Sequence, residues 1–350
     1  MASPAFIASH VRARPSLTST SALSPRALAS SRRLALASSS AAGSRAPTSS
    51  AHAKDLLVVG PGVLGTKICQ QWLQTFPGAV VVGQTNTDAS HAGLVSVGVA
   101  PRVKAFDADE PSANRTFPYV VFSAPPSGSE DYVAEVRSAL KYWNKEGAFV
   151  FTSSSAVYAN EAGEACDETS KVYEVGESPR VDRLLLAERA VLDAGGLVCR
   201  LAGLYHSERG AHKYFLKAPS LDSRADALVN LIHYEDAASL CIAALNSGSS
   251  STVYLGTDGV PVTRGDIATL TLASGAYADG AAPVFTKTDG PLGRAMSNPW
   301  TRAQLNWQPR YASFKEFMTS GDALDSYSPR KMTTKSSVGF VPSGRPHSGA

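Results

Sequence analysis

The sequence predicts an α/β protein built on a doubly wound parallel sheet. Three observations predict it. Short apolar runs recur at the pace of strand–helix–strand units, the segments between them carry helical periodicity, and the first run leads straight into a glycine-rich turn. The runs fall at residues 56–59, 79–82, 119–122, 148–151 and 197–201. They are rich in Val, Leu and Phe with little alternation, which is the pattern of strands buried on both faces of a parallel sheet.

In chain order, residues 1–54 come first. They are rich in Ser, Ala and Arg, carry seven cations and no Asp or Glu, and hold no apolar run long enough for a secretory signal. That composition predicts an organellar transit peptide cleaved between about residues 42 and 54. The opening Met1-Ala2-Ser3 and the Ser content favour the chloroplast, with the mitochondrion as the alternative and a disordered tail as the plainer reading.

The first strand, 56–59, runs into Gly60-Pro61-Gly62-Val63-Leu64-Gly65, a Gly-x-Gly-x-x-Gly turn opening a helix. Gly60 suits the tight turn, Gly62 lets backbone approach a pyrophosphate, and Gly65 lets helix and strand pack closely. The helix N-terminus adds free N–H groups and partial positive charge. Leu64, Ile68, Trp72 and Phe76 then step by four along one face until Pro77-Gly78 stops the helix. A nicotinamide dinucleotide is the expected ligand, with Val63 and Leu64 beside the glycines; a purely structural turn is the alternative.

After the second strand the chain reads Val82-Gly83-Gln84-Thr85-Asn86-Thr87. An acid there would hold both ribose hydroxyls of NAD and repel a 2′-phosphate. The neutral Thr85 and Asn86 tolerate that phosphate, so NADP is favoured and NAD remains open, with Asp88 close behind and no Arg nearby to clamp the phosphate. Asp107, Ser123 and Ala124 complete the candidate dinucleotide contacts. Val133, Val136, Leu140 and Trp143 form a second helical stripe, and Val181, Leu184, Leu185, Val191 and Leu192 a third.

Beyond residue 201 the pattern loosens to a short strand at 228–232 and a helix over 236–245. The expected organisation is a leader over 1–54, a dinucleotide-binding domain over 55–205, and a smaller substrate lobe over 206–320 with elements returning to the sheet. A Ser-, Gly- and Pro-rich disordered tail would cover 321–350.

Net charge is +3, but the leader supplies the excess. The rest carries 26 cations against 30 anions, near −4, so a nucleic-acid partner is unlikely. No apolar run reaches membrane-spanning length. Cys69, Cys166, Cys199 and Cys241 are widely spaced and match neither a disulfide framework nor a metal motif. His206 and His212 are too isolated a pair to predict a metal site.

Residues 149–159, Phe-Val-Phe-Thr-Ser-Ser-Ser-Ala-Val-Tyr-Ala, resemble the end of the central strand in extended short-chain dehydrogenase/reductases, which read Ser-Ser-x-x-Val-Tyr-Gly there. Ala187-Glu188, Arg200-Leu-Ala-Gly-Leu-Tyr205, Asn230-Leu-Ile-His-Tyr-Glu-Asp236 and Leu305-Asn-Trp-Gln-Pro-Arg-Tyr311 resemble later landmarks of the same superfamily, in order. The resemblance covers about residues 55–318 and implies a Rossmann domain with a small substrate lobe. It also implies a Gly-x-x-Gly-x-x-Gly loop, where this chain has Gly-x-Gly-x-x-Gly. The catalytic Tyr and Lys it implies, eight and four residues before Glu188, are here Arg180 and Leu184. The pattern therefore resembles the atypical, NAD-dependent epimerase/dehydratase-like branch.

Ser154 matches the superfamily's catalytic Ser, or is a hydrogen-bonding residue at a strand end. Tyr158 is either a core aromatic or a substitute proton donor. Arg180 is either a surface charge or an anchor for an anionic substrate at the cleft mouth. His233, Glu235 and Asp236 suit the start of a helix without catalytic work. Two functions follow as alternatives. One is an organellar NAD(P)-dependent oxidoreductase or epimerase-like enzyme acting on a small polar metabolite. The other is a non-catalytic NADP(H)-binding protein of structural, assembly or sensing role.

Overall fold

The polypeptide of the computed structural model is described over residues 53–104, 115–277 and 280–325. The leader up to residue 52, Asp107, and the tail beyond 325 lie outside the described residues.

Strand β1 (Leu56–Val59) turns into helix α1 (Val63–Thr75), and β2 (Val81–Thr85) leads through α2 (His91–Ser96) to β3 (Ala100–Val103). The chain then returns through β4 (Tyr119–Phe122), α3 (Tyr132–Leu140) and β5 (Phe149–Ser154). A small strand, β6 (Ala162–Cys166), precedes α4 (Pro179–Asp193) and β7 (Leu197–Leu201). Next come β8 (Gly203–Tyr205), α5 (Ala211–Phe215), β9 (Ser220–Arg224), β10 (Leu228–Val229) and β11 (Leu231–His233). Helix α6 (Tyr234–Ser247) and β12 (Val253–Gly256) come back to the sheet. The chain closes with β13 (Val262–Thr263), α7 (Arg264–Ala273), β14 (Val284–Lys287), β15 (Gly293–Met296), α8 (Pro299–Leu305), α9 (Phe314–Thr319) and α10 (Asp322–Asp325).

The central sheet has seven parallel strands in the order β12-β7-β5-β4-β1-β2-β3. From β1 the chain winds one way through β2 and β3, then the other way from β4. Right-handed crossovers put the helices of the two directions on opposite faces. Accordingly α3 packs with α4; α6, on the way to β12, departs from that rule and packs with α1 instead. Leu57, Val58, Val120, Val121, Val150, Phe151 and Val198 are fully buried between these layers, which is why those strands read as unbroken apolar runs. The reversal lies between β1 and β4, and in such sheets the crevice for a ligand opens there, at the carboxyl ends of the strands.

Several boundaries differ from the sequence reading. The second strand begins at Val81 rather than residue 79, because Ala79 N closes a turn onto Phe76 O at 3.0 Å. It then continues through polar Gln84, which is buried because Arg102 Nε donates to its Oε1 at 2.9 Å. Strands β3 and β12 went unread: both are sheet edges; β3 is largely exposed and shows no apolar run, whereas β12 carries a short, largely buried one, Val253-Tyr254-Leu255, that the sequence reading passed over. Helix α3 faces inward through Tyr132, Val136 and Ala139, so Val136 holds its expected place while Tyr132 and Ala139 stand where Val133 and Leu140 were expected. The single strand expected over 228–232 is two. Asn230 separates them, donating to Arg294 O at 2.8 Å and accepting from Met296 N at 2.9 Å. The helix expected over 236–245 runs from Tyr234 to Ser247, with His233 Nδ1 capping it by accepting from Glu235 N at 3.2 Å. Helix α10 continues past Gly321, where the tail was expected to begin.

A second cluster of buried residues includes Tyr205, Phe215, Leu231, Ile267, Tyr277, Phe314 and Phe317. Buried Asp236 and Asp258 fasten the closing segment to it. Asp236 accepts from Arg310 N at 2.6 Å and Tyr311 N at 3.1 Å, and Asp258 accepts from Phe314 N at 3.2 Å. These carboxylates satisfy backbone donors, and that explains why acids stand at buried positions.

Candidate active site

At the end of β1 the chain reverses at Gly60, whose φ is +79°. A Cβ there would lie 2.6 Å from the backbone of Ala124, so the loop passes β4 at a distance only glycine permits. At Gly65 a Cβ would meet Gly60 O at 2.8 Å, which explains the close helix–strand packing. Gly62 is different: a Cβ there meets nothing within 4 Å. Its open side belongs to the cleft. Helix α1 starts from Gly62 with no side-chain cap and no acid in its first turn. Its first N–H groups are left for an external anion.

Two cavities meet at this loop, one of about 600 Å³ and one of about 350 Å³, and both are lined by Gly62, Ser123, Ala124 and Pro125. The smaller one reaches Thr85, Asn86, Ser90 and Lys104; the larger reaches Ser154, Arg180, Leu184, Arg209 and Tyr234. Together they form a crevice across the sheet's reversal, with a bare glycine and a free helix terminus at its centre. Those features fit a dinucleotide whose pyrophosphate lies on the loop. Val63 and Leu64 line the larger cavity.

At the floor, β5 ends in three hydroxyls with different commitments. Thr152 Oγ1 donates to Phe122 O at 3.2 Å, and Ser153 Oγ donates to Glu188 Oε1 at 2.5 Å. Ser154 Oγ only accepts, from Ala156 N at 3.2 Å, which leaves its proton for a ligand. Beneath the floor, Arg200 Nη2 donates to Glu188 Oε2 at 2.7 Å and Arg200 Nε reaches both carboxylate oxygens. This pair is almost wholly buried, and it ties α4 and β7 to the end of β5.

Arg180 stands exposed in the first turn of α4 at the cleft mouth. Leu184, one turn later, is buried and forms part of the cleft wall, so an apolar side chain occupies the place of the implied Lys. Tyr158 corrects one expectation. It is fully buried, lies outside the cleft lining, and sits under the Arg200 guanidinium with Cζ 4.9 Å from its ring centroid. Burial pushes its phenol up to about 12, against the opposing pull of Arg200. Tyr158 is a core aromatic and does not serve the cleft as a proton donor. The chain turns into a 3₁₀ segment directly after Ser154, which swings Tyr158 inward.

Of the other residues singled out, His212 is buried against Ser207 O and Tyr277, and burial lowers its imidazole to about 4. His233 caps α6, and Glu235 pairs with Lys67 at 2.5 Å. Among the described residues no group of three or more His, Cys, Asp or Glu is placed to hold a metal, and no helix is long and apolar enough to cross a membrane.

No protein-family model and no curated protein sequence matches the chain. Solved structures do. A functionally unknown conserved protein from Silicibacter pomeroyi is 17% identical, with a TM-score of 0.62 over 78% of this chain and 99% of its own. UDP-glucose 4-epimerase from Thermotoga maritima, solved with UDP-glucose, is 15% identical, with a TM-score of 0.60 over 76% and 96%. dTDP-glucose 4,6-dehydratase from Bacillus anthracis, solved with NAD, is 14% identical, with a TM-score of 0.62 over 76% and 94%. The chain has the fold of the NAD-dependent epimerases and dehydratases. These neighbours agree with the resemblance read from the motifs.

Within this epimerase/dehydratase-type fold, three side chains at the cleft escaped the sequence reading. Lys104 follows β3, an edge strand with no apolar signal, and pairs with Glu135 at 3.5 Å in the smaller cavity. Arg209 comes from the turn after β8 and Tyr234 from the first residue of α6, and only the chain path brings them to the larger cavity. Nothing in their local sequence marks them as cleft residues.

Proposed function

We propose that this chain is an NADP(H)-binding oxidoreductase or epimerase-like enzyme that acts on a small anionic metabolite in an organelle. The observation that carries the reading is the charge of the larger cavity. Its described lining includes Arg180 and Arg209 and no carboxylate, next to a bare glycine loop and the uncommitted Ser154 hydroxyl. An arginine at a half-wet cleft mouth favours carboxylate or phosphate through charge-assisted, bidentate hydrogen bonds. A bound dinucleotide would supply the redox chemistry, held by Gly60, Gly62, Gly65, Ser123 and Ala124. Ser154 would orient the reacting oxygen.

Support for NADP over NAD comes from the smaller cavity, whose lining offers Thr85, Asn86, Ser90 and the Lys104 ammonium. Glu135 lies in the same lining and tempers that preference. Calorimetric titration of the full chain should give NADPH an affinity at least equal to that of NADH; a strong preference for NADH removes the selectivity argument. With NADPH bound, nucleotide sugars should turn over very slowly or not at all. On a phosphorylated or carboxylated substrate, Arg180→Ala should raise KM about tenfold, the loss of roughly one charge-assisted contact, with kcat nearly unchanged. Brisk turnover of neutral sugars, or an unchanged KM in the variant, sinks the anionic-substrate reading.

Support for an organelle is compositional: an acid-free, Ser- and Arg-rich leader before Asp55. The chloroplast is the reading preferred over the mitochondrion. N-terminal sequencing of protein from its native source should find a start between about residues 42 and 58. A start at Met1 or Ala2 overturns it.

A further inference from the structure

An audit of the proton donors facing the larger cavity leaves few. Thr152, Ser153 and Tyr132 line it, but each has given its proton away, Tyr132 to Ala124 O at 2.9 Å. Tyr158 lies outside it. Arg180 is a guanidinium, suited to holding an anion and not to passing a proton. Ser123 and Ser154 are alcohols, far too weakly acidic to supply a proton unaided. Tyr234 remains. It is the first residue of α6, it lines the cavity, and no protein acceptor takes its hydroxyl proton in the hydrogen bonds of the described residues.

Tyr234 also has a cation beside it. The Arg209 guanidinium lines the same cavity, and its charge opposes the rise that burial imposes on the phenol. Arg209 is held there by a tight turn. His206 N donates to Arg209 O at 2.8 Å, and Arg209 N donates back to His206 O at 3.1 Å. Gly210 then leaves with φ +144°, where a Cβ would meet Tyr205 Cβ at 2.7 Å. The His206 ring packs on the Tyr234 ring at 5.2 Å, and burial lowers that imidazole, which keeps it neutral against the phenol. The His206 ring therefore holds one side of the Tyr234 ring, while Arg209 shares its cavity.

We propose that Tyr234, assisted by Arg209, is the proton donor and acceptor of this cleft. The proposal rests on the dinucleotide reading above. In the reducing direction the substrate carbonyl carbon gains hydrogen and two electrons from a dihydronicotinamide co-reactant. The C=O π pair moves onto oxygen, the Tyr234 O–H bond breaks, and the alcohol O–H forms. The phenolate, stabilised by Arg209, takes a proton back from water. The oxidising direction runs these transfers in reverse.

The test uses the full chain with phenylglyoxylate, an anionic aromatic α-keto acid, and with a panel of phosphorylated aldehydes. In Tyr234→Phe the single-turnover rate with NADPH should fall by about 10²–10⁴-fold, the usual worth of a positioned acid, while calorimetric NADPH affinity stays within about twofold. Independently of turnover, ultraviolet titration of the apo chain against Tyr234→Phe isolates this phenol. Arg209→Ala should move its ionisation to higher pH, and Arg209→Lys should restore most of it. A Tyr234→Phe chain that keeps its rate, an ionisation unmoved by Arg209→Ala, or a wild type that binds NADPH yet reduces nothing in the panel overturns the proposal. Failure of the wild type to bind NADPH or NADH instead overturns the dinucleotide reading beneath it.

Discussion

Gly62→Val should abolish dinucleotide binding and leave the protein folded. The two halves of that result come from one geometric fact. A Cβ at Gly62 meets no protein atom within 4 Å, so the substitution costs the fold little. The same open side is where the two halves of the crevice join, over the first turn of α1. A branched side chain there fills the space a pyrophosphate needs to reach the helix N–H groups. The loss of affinity should exceed about 100-fold, equivalent to roughly 2.7 kcal/mol or more. Calorimetric titration with NADPH checks the affinity, and circular dichroism with the thermal midpoint checks the fold. Retained affinity in a folded variant removes the glycine loop from the binding site. Gly60→Val is the useful contrast. There the side chain would run into the Ala124 backbone at 2.6 Å with φ at +79°, so fold and binding fail together.

Glu188→Ala should cost the protein a large share of its stability. Glu188 and Arg200 are 3% and 9% exposed at their side chains, and the contact is bidentate, with Ser153 donating a further bond. Removing the carboxylate strands a buried guanidinium beneath the sheet, and such a broken pair typically costs about 3–5 kcal/mol. The pair itself adds much less than that over an apolar substitute, because both charges were desolvated to form it. Its value lies in position. It joins α4 and β7 to the end of β5, where Ser154 meets the cleft. The urea midpoint should fall with the slope unchanged, and activity should fall further than stability alone accounts for. A loss under about 1 kcal/mol shows that water reaches Arg200 and that the network is not closed.

Some of this molecule was legible before its structure. Unbroken apolar strands, helices with period 3.6 and a glycine turn after the first strand are consequences of local backbone geometry and of burial on two faces, so they are written into consecutive residues. The roles of Gly60, Gly62 and Gly65 follow for the same reason, since each depends on a missing Cβ at one point of a short turn. Edges are harder to read. Strand β3 has one free side and is largely exposed, so it needs no apolar run, and Lys104 was hidden with it.

The fate of the tyrosines belonged to tertiary structure. Tyr158 follows the floor strand so closely that the motif places it near the cleft, yet a 3₁₀ turn drives it into the core against Arg200. Tyr234 and Arg209 sit in segments whose local pattern is that of a helix start and a turn, and they reach the cleft because β8 and β11 pair in parallel above it. Which side chain receives an emptied position depends on distances between residues far apart in the chain, and no periodicity encodes those. The sequence alone determined the sheet and its glycine loop, because burial and glycine geometry act on neighbours; the folded chain alone decided which phenols line the larger cavity, because that choice is made by packing between segments far apart in the chain.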